Sequence, residues 1–123
     1  MGALKTTITK VFTFDCAHHL NEYEGKCKNI HGHTYKLEVT VKGPVQKNGL
    51  VMDFHDLDAV VENEILQTID HKYLNEIFDF NPTCENIGAW IWDEADKRMA
   101  HGVTLERIVL WETPTSFVTI EKE

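Results

Sequence analysis

His31 and His33 open a stretch, residues 31–42, in which apolar side chains at odd positions alternate with polar ones. This alternation predicts a half-buried β-strand, because successive side chains of a strand point to opposite faces. Both imidazoles then lie on the apolar face, roughly 7 Å apart along the strand. Two histidines satisfied by hydrogen bonds at a core edge would be the ordinary interpretation. The nearby Cys27 favours a metal or catalytic site instead.

A third histidine would complete the donor set of a catalytic zinc ion, which uses three protein ligands and one open position. His18 ends the preceding apolar stretch and shares the parity of its buried residues, whereas His19 points to the opposite face. Three neutral imidazoles suit Zn²⁺ and leave it Lewis acidic. We therefore predict zinc bound by His18, His31 and His33.

Cys27 lies in the polar loop before these histidines, where it would overhang the metal. A cation nearby, together with Lys26 and Lys28, would favour the thiolate and make Cys27 a candidate base or nucleophile. The alternative is a loop thiol without a role. Cys16, inside a strand, and Cys84, near a helix start, are predicted to be structural.

Two acidic positions have chemical interpretations. Asp70 and His71 close the first predicted helix, and His71 either interacts with the helix dipole or is oriented by Asp70 for proton transfer. Glu112 shares a strand face with apolar residues, where burial of a bare carboxylate is costly. Its partner is therefore either a protein cation such as Arg107 or a ligand that presents paired N–H donors.

The predicted elements that position these residues follow the order β-β-α-α-β-β. Four strands are predicted by apolar alternation, over residues 6–18, 31–42, 103–112 and 117–121. An apolar residue at every fourth position predicts a helix from about Asp53 to Asp70, and Thr83 is the predicted N-cap of a second helix. We expect an α+β protein with a four-stranded antiparallel sheet and both helices on one face. Its uncovered edge strands would favour pairing between subunits.

Composition narrows the class of protein. A length of 123 residues with 42% hydrophobic and 26% charged residues fits one globular domain over residues 1–123. The formal charge of −8 disfavours nucleic acid as a partner, since such binding needs clustered cations. No apolar run is long enough to span a membrane, and no signal-like segment occurs. Three cysteines without a CxxC pair fit a reducing compartment, so we expect a cytoplasmic protein.

Six motifs in order resemble the family of 6-pyruvoyl-tetrahydropterin and 6-carboxy-tetrahydropterin synthases over essentially the whole chain. They are FDCAHHL at 14–20, CKNIHGH at 27–33, GLVMDFHDL at 49–57, DHKYLN at 70–75, PTCEN at 82–86 and WET at 111–113. The resemblance implies the tunnelling fold (T-fold), whose subunits form trimers with a joined β-barrel, commonly stacked into hexamers. It also implies active sites at subunit interfaces.

Residue roles follow from the same resemblance. It implies zinc ligands at His18, His31 and His33, and a catalytic cysteine at Cys27. It also implies an Asp70–His71 pair that completes a triad across a subunit interface, a pterin-anchoring carboxylate at Glu112, and further pterin contacts from Thr83 to Glu85. Thr83 is equally explained as a helix cap. Relatives often carry arginine at the position of His19, and Lys26 or Lys28 would replace it as phosphate ligands.

The implied substrate is 7,8-dihydroneopterin triphosphate. The carboxy enzymes of the family release triphosphate and acetaldehyde to give 6-carboxy-5,6,7,8-tetrahydropterin, on the route to queuosine, whereas the pyruvoyl enzymes stop at 6-pyruvoyl-tetrahydropterin. Three residues separate Cys27 from His31, which resembles the carboxy branch. A third branch replaces the cysteine with glutamate and acts as an aldolase, and Glu24 is nearby. A non-catalytic pterin-binding relative and a cupin are the remaining alternatives.

Overall fold

The computed structural model describes residues 3–21 and 29–123. Its strands are β1 (Thr7–His18), β2 (His31–Lys42), β3 (Lys72–Tyr73), β4 (Thr104–Thr113) and β5 (Ser116–Ile120). Its helices are α1 (Phe54–Val61), a π-helical turn (Glu62–Leu66), α2 (Gln67–Ile69), α3 (Leu74–Ile77) and α4 (Cys84–Asp96). The predicted α+β class and all four long strands are confirmed. No helix among the described residues is both long and apolar enough to cross a membrane.

Within residues 3–21 and 29–123, the sheet has five strands in the order β3-β1-β2-β4-β5. All neighbours are antiparallel except β3, which runs parallel to β1 and pairs with Cys16 and Ala17. The predicted four-stranded antiparallel sheet is therefore wrong by one strand. Two residues are too few for apolar periodicity to reveal a strand. The short strand matters because it brings the segment after α2 to the outer edge of β1.

One face of the sheet, called here the core face, is buried beneath the helices. Tyr35, Leu37, Val39 and Val41 of β2 are fully buried, while Thr34 and Lys36 on either side of Tyr35 are exposed. Burial of each such side chain contributes about 1.5–3 kcal/mol. Residues of both long helical segments belong to the same hydrophobic cluster, among them Leu57, Val61, Ile65, Ile87, Ile91 and Ala95. The opposite face, called the open face, carries the alternate side chains.

A register shift in β4 explains why its buried side chains change from odd to even positions along the strand. Leu105 and Ile108 are both buried although their positions differ in parity. The pairing with β2 shifts between Thr40 and Val41, as a β-bulge requires when two residues of one strand oppose one of the other. Beyond the bulge, the even positions of β4 keep the core face, which places Glu112 on the parity of Ile108.

The first long helix contains a π-helical turn, and the spacing of its buried residues explains why. Leu57, Val61, Ile65 and Ile69 are all fully buried, at a strict spacing of four residues. On a regular α-helix three such steps would rotate the stripe by about 120°. The π-helical turn over Glu62–Leu66 is wider, with i→i+5 bonding, and therefore keeps the stripe against the sheet.

Side-chain caps begin both long helices. The Asp53 side chain accepts from the backbone N–H of His55 at 2.8 Å, and Thr83 Oγ1 accepts from that of Asn86 at 3.1 Å. Thr83 is thus the N-cap that the sequence predicts. The start of α4 is thereby fixed immediately after Pro82, a residue whose carbonyl contacts the candidate site.

Candidate active site

Three histidines lie together where the core face ends. His18 is the last residue of β1 and pairs directly with His31, the first residue of β2. His33 follows two positions later on the same face. The ring centroids are 4.5 Å apart for His18 and His31, 4.7 Å for His31 and His33, and 5.3 Å for His18 and His33. The alternation of the two strands is what brings these imidazoles together.

Backbone carbonyls set the tautomers of two of these rings. His18 Nδ1 lies 2.7 Å from the Pro82 oxygen, and His31 Nδ1 lies 2.8 Å from the Asn29 oxygen. A carbonyl oxygen only accepts, so each Nδ1 carries the proton and each Nε2 carries a lone pair. The two Nε2 atoms are nevertheless 3.0 Å apart. Two lone pairs at this distance repel, and a shared metal cation removes the repulsion. Carbonyl acceptors behind ligand histidines are typical of metal sites.

His33 supplies the third donor. Its Nε2 is buried without a hydrogen-bond partner among the described residues and lies 3.5 Å from Glu112 Oε1. One ring nitrogen from each of the three histidines lies within 4.8 Å of the others. Burial lowers the pKa of His18 and of His33, although Glu112 opposes this at His33. Neutral imidazoles are the form that binds metal, so the donor set fits a zinc ion.

Asp70 and His71 form a second group, close to the open face. His71 Nδ1 lies 2.9 Å from Asp70 Oδ1, and the His71 side chain is 77% exposed. The His71 backbone is left-handed, with φ 61°, and its N–H donates to the Asp15 carbonyl at 2.6 Å. Of the two sequence interpretations, the contact favours a carboxylate that orients an imidazole.

His33 lines two cavities that lie on either side of it. The first, of about 560 Å³, extends along β1 and β2 to Asp15 and His71. The second, of about 540 Å³, extends to Trp111 and Glu112 of β4. His33 of the histidine cluster therefore shares one cavity with His71 and the other with Glu112.

The side chain beside Glu112 is His33, 3.5 Å away through Nε2, rather than a protein cation. Arg107, the cation considered from sequence, instead lies 3.9 Å from Glu121 Oε2 through its Nε, because it belongs to the open face. Glu112 also lines a smaller cavity of about 210 Å³ together with Glu85 and Cys84. Its carboxylate is thus available to a ligand from this side.

His19 has a local role. Its backbone N–H donates to the Asn75 side chain at 2.8 Å, and its Nδ1 is hydrogen bonded to the Tyr73 hydroxyl. The Asn75 amide in turn donates to the His19 carbonyl at 3.0 Å. These bonds fasten the end of β1 to the segment that follows β3. His19 therefore lies outside the metal cluster, as its parity predicts.

The described cysteines do not supply a nucleophile. Burial raises the pKa of both Cys16 and Cys84 to about 12, so both thiols stay protonated at neutral pH. Cys84 donates to the Leu110 carbonyl at 3.4 Å. The predicted catalytic Cys27 and the predicted phosphate ligands Lys26 and Lys28 lie outside the described residues.

Sequence reasoning missed several groups that support the site. The carbonyls of Asn29 and Pro82 fix the imidazoles, but a backbone oxygen leaves no signal in side-chain patterns. Asp15 and Thr34 line the first cavity. Both alternate with buried residues and therefore lie on the open face, within or next to the motifs FDCAHHL and CKNIHGH. No local sequence pattern indicates that His71 approaches them.

Comparisons with known proteins give a consistent result. The family model described as 6-pyruvoyl tetrahydropterin synthase matches residues 7–123. A 6-carboxy-5,6,7,8-tetrahydropterin synthase of Haemophilus influenzae is 36% identical, over 89% of this chain and 94% of its own. A dihydroneopterin monophosphate aldolase of Pyrococcus furiosus is 42% identical, over 89% and 91%. The 6-pyruvoyl tetrahydropterin synthase structure of Caenorhabditis elegans superposes with a TM-score of 0.87 at 26% identity, covering 98% and 97%.

Proposed function

The chain belongs to the 6-pyruvoyl tetrahydropterin synthase family, and we propose that it is a zinc-dependent 6-carboxy-5,6,7,8-tetrahydropterin synthase. Its substrate would be 7,8-dihydroneopterin triphosphate, with triphosphate and acetaldehyde as co-products. The observation that carries this proposal is the pair of facing Nε2 lone pairs of His18 and His31, 3.0 Å apart. The third histidine, His33, shares one cavity with Glu112 and another with His71. The name of the Haemophilus influenzae relative supports the carboxy branch.

His18, His31 and His33 would hold the zinc ion, which supplies Lewis-acid polarisation of the substrate's side-chain hydroxyls when bound. The protein's own contribution is to present three neutral imidazoles. Burial keeps the pKa of His18 and His33 low, and carbonyl oxygens fix His18 and His31 in the tautomer whose Nε2 is free. This arrangement lowers the cost of assembling the site, because the rings need not reorient.

Glu112 would anchor the pterin. Its partly buried carboxylate faces two cavities, and it has acceptor oxygens for the 2-amino and ring N–H groups of a pterin. Charge-assisted hydrogen bonds of this kind are about twice as strong as neutral ones. Glu85 lines the same small cavity, and Thr83 lies two residues before it, so both are proposed as further pterin contacts.

Proton transfer would involve His71 and Cys27. Asp70 Oδ1 lies 2.9 Å from His71 Nδ1, a contact that would orient the exposed ring for proton exchange with substrate. A positioned acid or base of this kind contributes roughly 10²–10⁴-fold to a rate. We propose Cys27 as the base that removes a side-chain proton, and Lys26 and Lys28 as ligands of the triphosphate.

Assembly into a barrel is part of the proposal. Among the described residues, β3 pairs with only Cys16 and Ala17 of the twelve-residue strand β1. Most of that edge, and the outer edge of β5, therefore present backbone groups that a second subunit can pair with. We propose that the chain acts as one domain, residues 1–123, within a trimer or a hexamer of such units.

Mass spectrometry of the products tests the reaction. Zinc-loaded protein mixed with 7,8-dihydroneopterin triphosphate should yield 6-carboxy-tetrahydropterin and acetaldehyde. A 6-pyruvoyl product without acetaldehyde would assign the pyruvoyl reaction instead. Cleavage of dihydroneopterin monophosphate by the same protein would assign the reaction named for the Pyrococcus furiosus relative.

A Cys27→Ala variant separates an enzyme from a non-catalytic pterin-binding protein. Turnover should be lost while zinc content and pterin binding stay at the wild-type level, because the thiol is proposed to move a proton rather than to bind. Full turnover in the variant would remove Cys27 from the mechanism.

A further inference from the structure

We propose that Asp15, held across the sheet by Thr34, is a positioning residue for His71. The inference rests on the proposed role of His71 in proton transfer. It concerns the open face of β1 and β2, on the far side of these strands from the histidine cluster.

Thr34 fixes the Asp15 side chain. The two residues are direct partners in the antiparallel pairing of β1 with β2, and both point to the open face. The Thr34 hydroxyl donates to Asp15 Oδ1. A cross-strand pair of this kind is held by the backbone of two long strands, so the carboxylate keeps one orientation before any ligand arrives.

The main chain of Asp15 is hydrogen bonded to both residues of the Asp70–His71 pair. Its N–H donates to Asp70 Oδ1 at 3.0 Å, the same oxygen that contacts His71 Nδ1. Its carbonyl accepts from the His71 N–H at 2.6 Å, at the one described non-glycine residue with a positive φ. These bonds fix the Asp70 carboxylate and the backbone of His71. The side chain of Asp15 lies near the imidazole itself.

Two carboxylates then flank one imidazole. A carboxylate oxygen of Asp15, one of Asp70 and a ring nitrogen of His71 all lie within 4.8 Å of one another. Other titratable groups that line this cavity are His33 from β2, Lys72 and Tyr73 from β3, and the Cys16 thiol. The Asp15 carboxylate therefore limits the positions that the imidazole can take beside Asp70. Asp15 thus helps to hold the His71 ring at the Asp70 carboxylate, and Thr34 keeps Asp15 in place.

Substitutions at Thr34 test the hydroxyl without changing the charge. Thr34→Val removes the donor at nearly constant shape, whereas Thr34→Ser keeps it. Thr13→Val, an exposed position on the same strand and face as Asp15, is the matched control. We expect Thr34→Val to lower kcat about tenfold, a part of the roughly 10²–10⁴-fold of acid–base catalysis, with KM and zinc content unchanged. Thr34→Ser and Thr13→Val should retain wild-type kcat.

A spectroscopic readout does not depend on turnover. In ¹⁵N-histidine-labelled protein, the His71 resonances, assigned with His71→Asn, should show protonation at Nδ1. In Thr34→Val and Asp15→Asn the ring should shift toward a mixture of tautomers. His71 signals equal to wild type in both variants would overturn the proposal, as would equal kcat values for Thr34→Val and Thr34→Ser. If the protein forms no carboxy product yet the His71 signals shift as expected, the proposed function fails and the positioning role stands.

Discussion

The three-histidine cluster and the Asp70–His71 pair lie on opposite sides of β1 and β2 and contact different partners. His18 is fully buried on the core face, and its Nδ1 donates to a carbonyl. His71 is 77% exposed, and its Nδ1 contacts a carboxylate. Burial lowers the pKa of His18, and its carbonyl acceptor leaves Nε2 with a free lone pair, which suits a metal ligand. A carboxylate beside an exposed ring orients that ring toward a ligand, which suits proton transfer. Burial and the partner of Nδ1, not the residue type, distinguish the two roles.

Removal of a metal ligand is the most severe test of this distinction. His31→Ala and His33→Ala should lose bound zinc, which we expect at about one ion per chain in wild type. The affinity should fall by more than about 100-fold, since even outer-shell changes cost 10–100-fold. Metal analysis by mass spectrometry measures this.

His101→Ala is the control for the ligand variants, because His101 is exposed and distant from the cluster. It should keep wild-type zinc. Unchanged zinc in both His31→Ala and His33→Ala would refute the metal site.

Substitution of His71, near the open face, should lower activity without loss of zinc. His71→Asn keeps a residue that tolerates the left-handed backbone but cannot exchange protons. We expect kcat to fall by about 10²–10⁴-fold with zinc content and thermal stability at the wild-type level, because the ring is exposed. A parallel loss of zinc would show that the two groups are not independent.

The contrast also bears on what the sequence can predict. Period-two alternation in β1 and β2 is local, so it is sufficient to place His18, His31 and His33 on one face. The site of His71 depends on bonds to Asp15, 56 residues earlier in the chain. No local pattern encodes that contact, and the two-residue strand β3 that accompanies it has no periodicity of its own. The role of Cys27 stays a prediction from the resemblance.

The buried histidines make the stability of the metal-free protein depend on pH. Burial lowers the pKa of His18 and His33 below the ordinary value of 6.5. The unfolded chain therefore binds more protons as the pH falls through about 6.5, and the free energy of unfolding decreases until the lower folded pKa is passed. Urea denaturation between pH 7.5 and pH 5 should show this loss.

His33→Gln should weaken that pH dependence, since one buried titrating group is removed, and His101→Gln should leave it unchanged. An equal slope in all three proteins would contradict the assignment of the buried rings as neutral.

The smallest expected effect concerns the helix start behind the metal cluster. Thr83→Ala removes the cap of α4 and should lower the free energy of unfolding by about 1 kcal/mol, measured by denaturation. Thr83→Ser and Thr83→Asn, which both cap helices well, should restore it.

If Thr83→Asn is stable yet binds pterin poorly, the hydroxyl also contacts substrate. A full loss of zinc in Thr83→Ala would show that the Pro82 carbonyl depends on this cap.

The π-helical turn over Glu62–Leu66 contains one residue more than a regular α-helix would have there. A chain without the exposed Asn63 would place the buried side chains that follow it one position earlier, at positions 64, 65 and 68 after Leu57 and Val61. That spacing of four, three, one and three residues is the stripe of an ordinary amphipathic α-helix. Deletion of Asn63 should therefore leave a cooperative thermal transition, whereas deletion of Trp90 from the regular helix α4 should abolish it. The first helix is thus a place where the chain can shorten by a single residue without loss of the core.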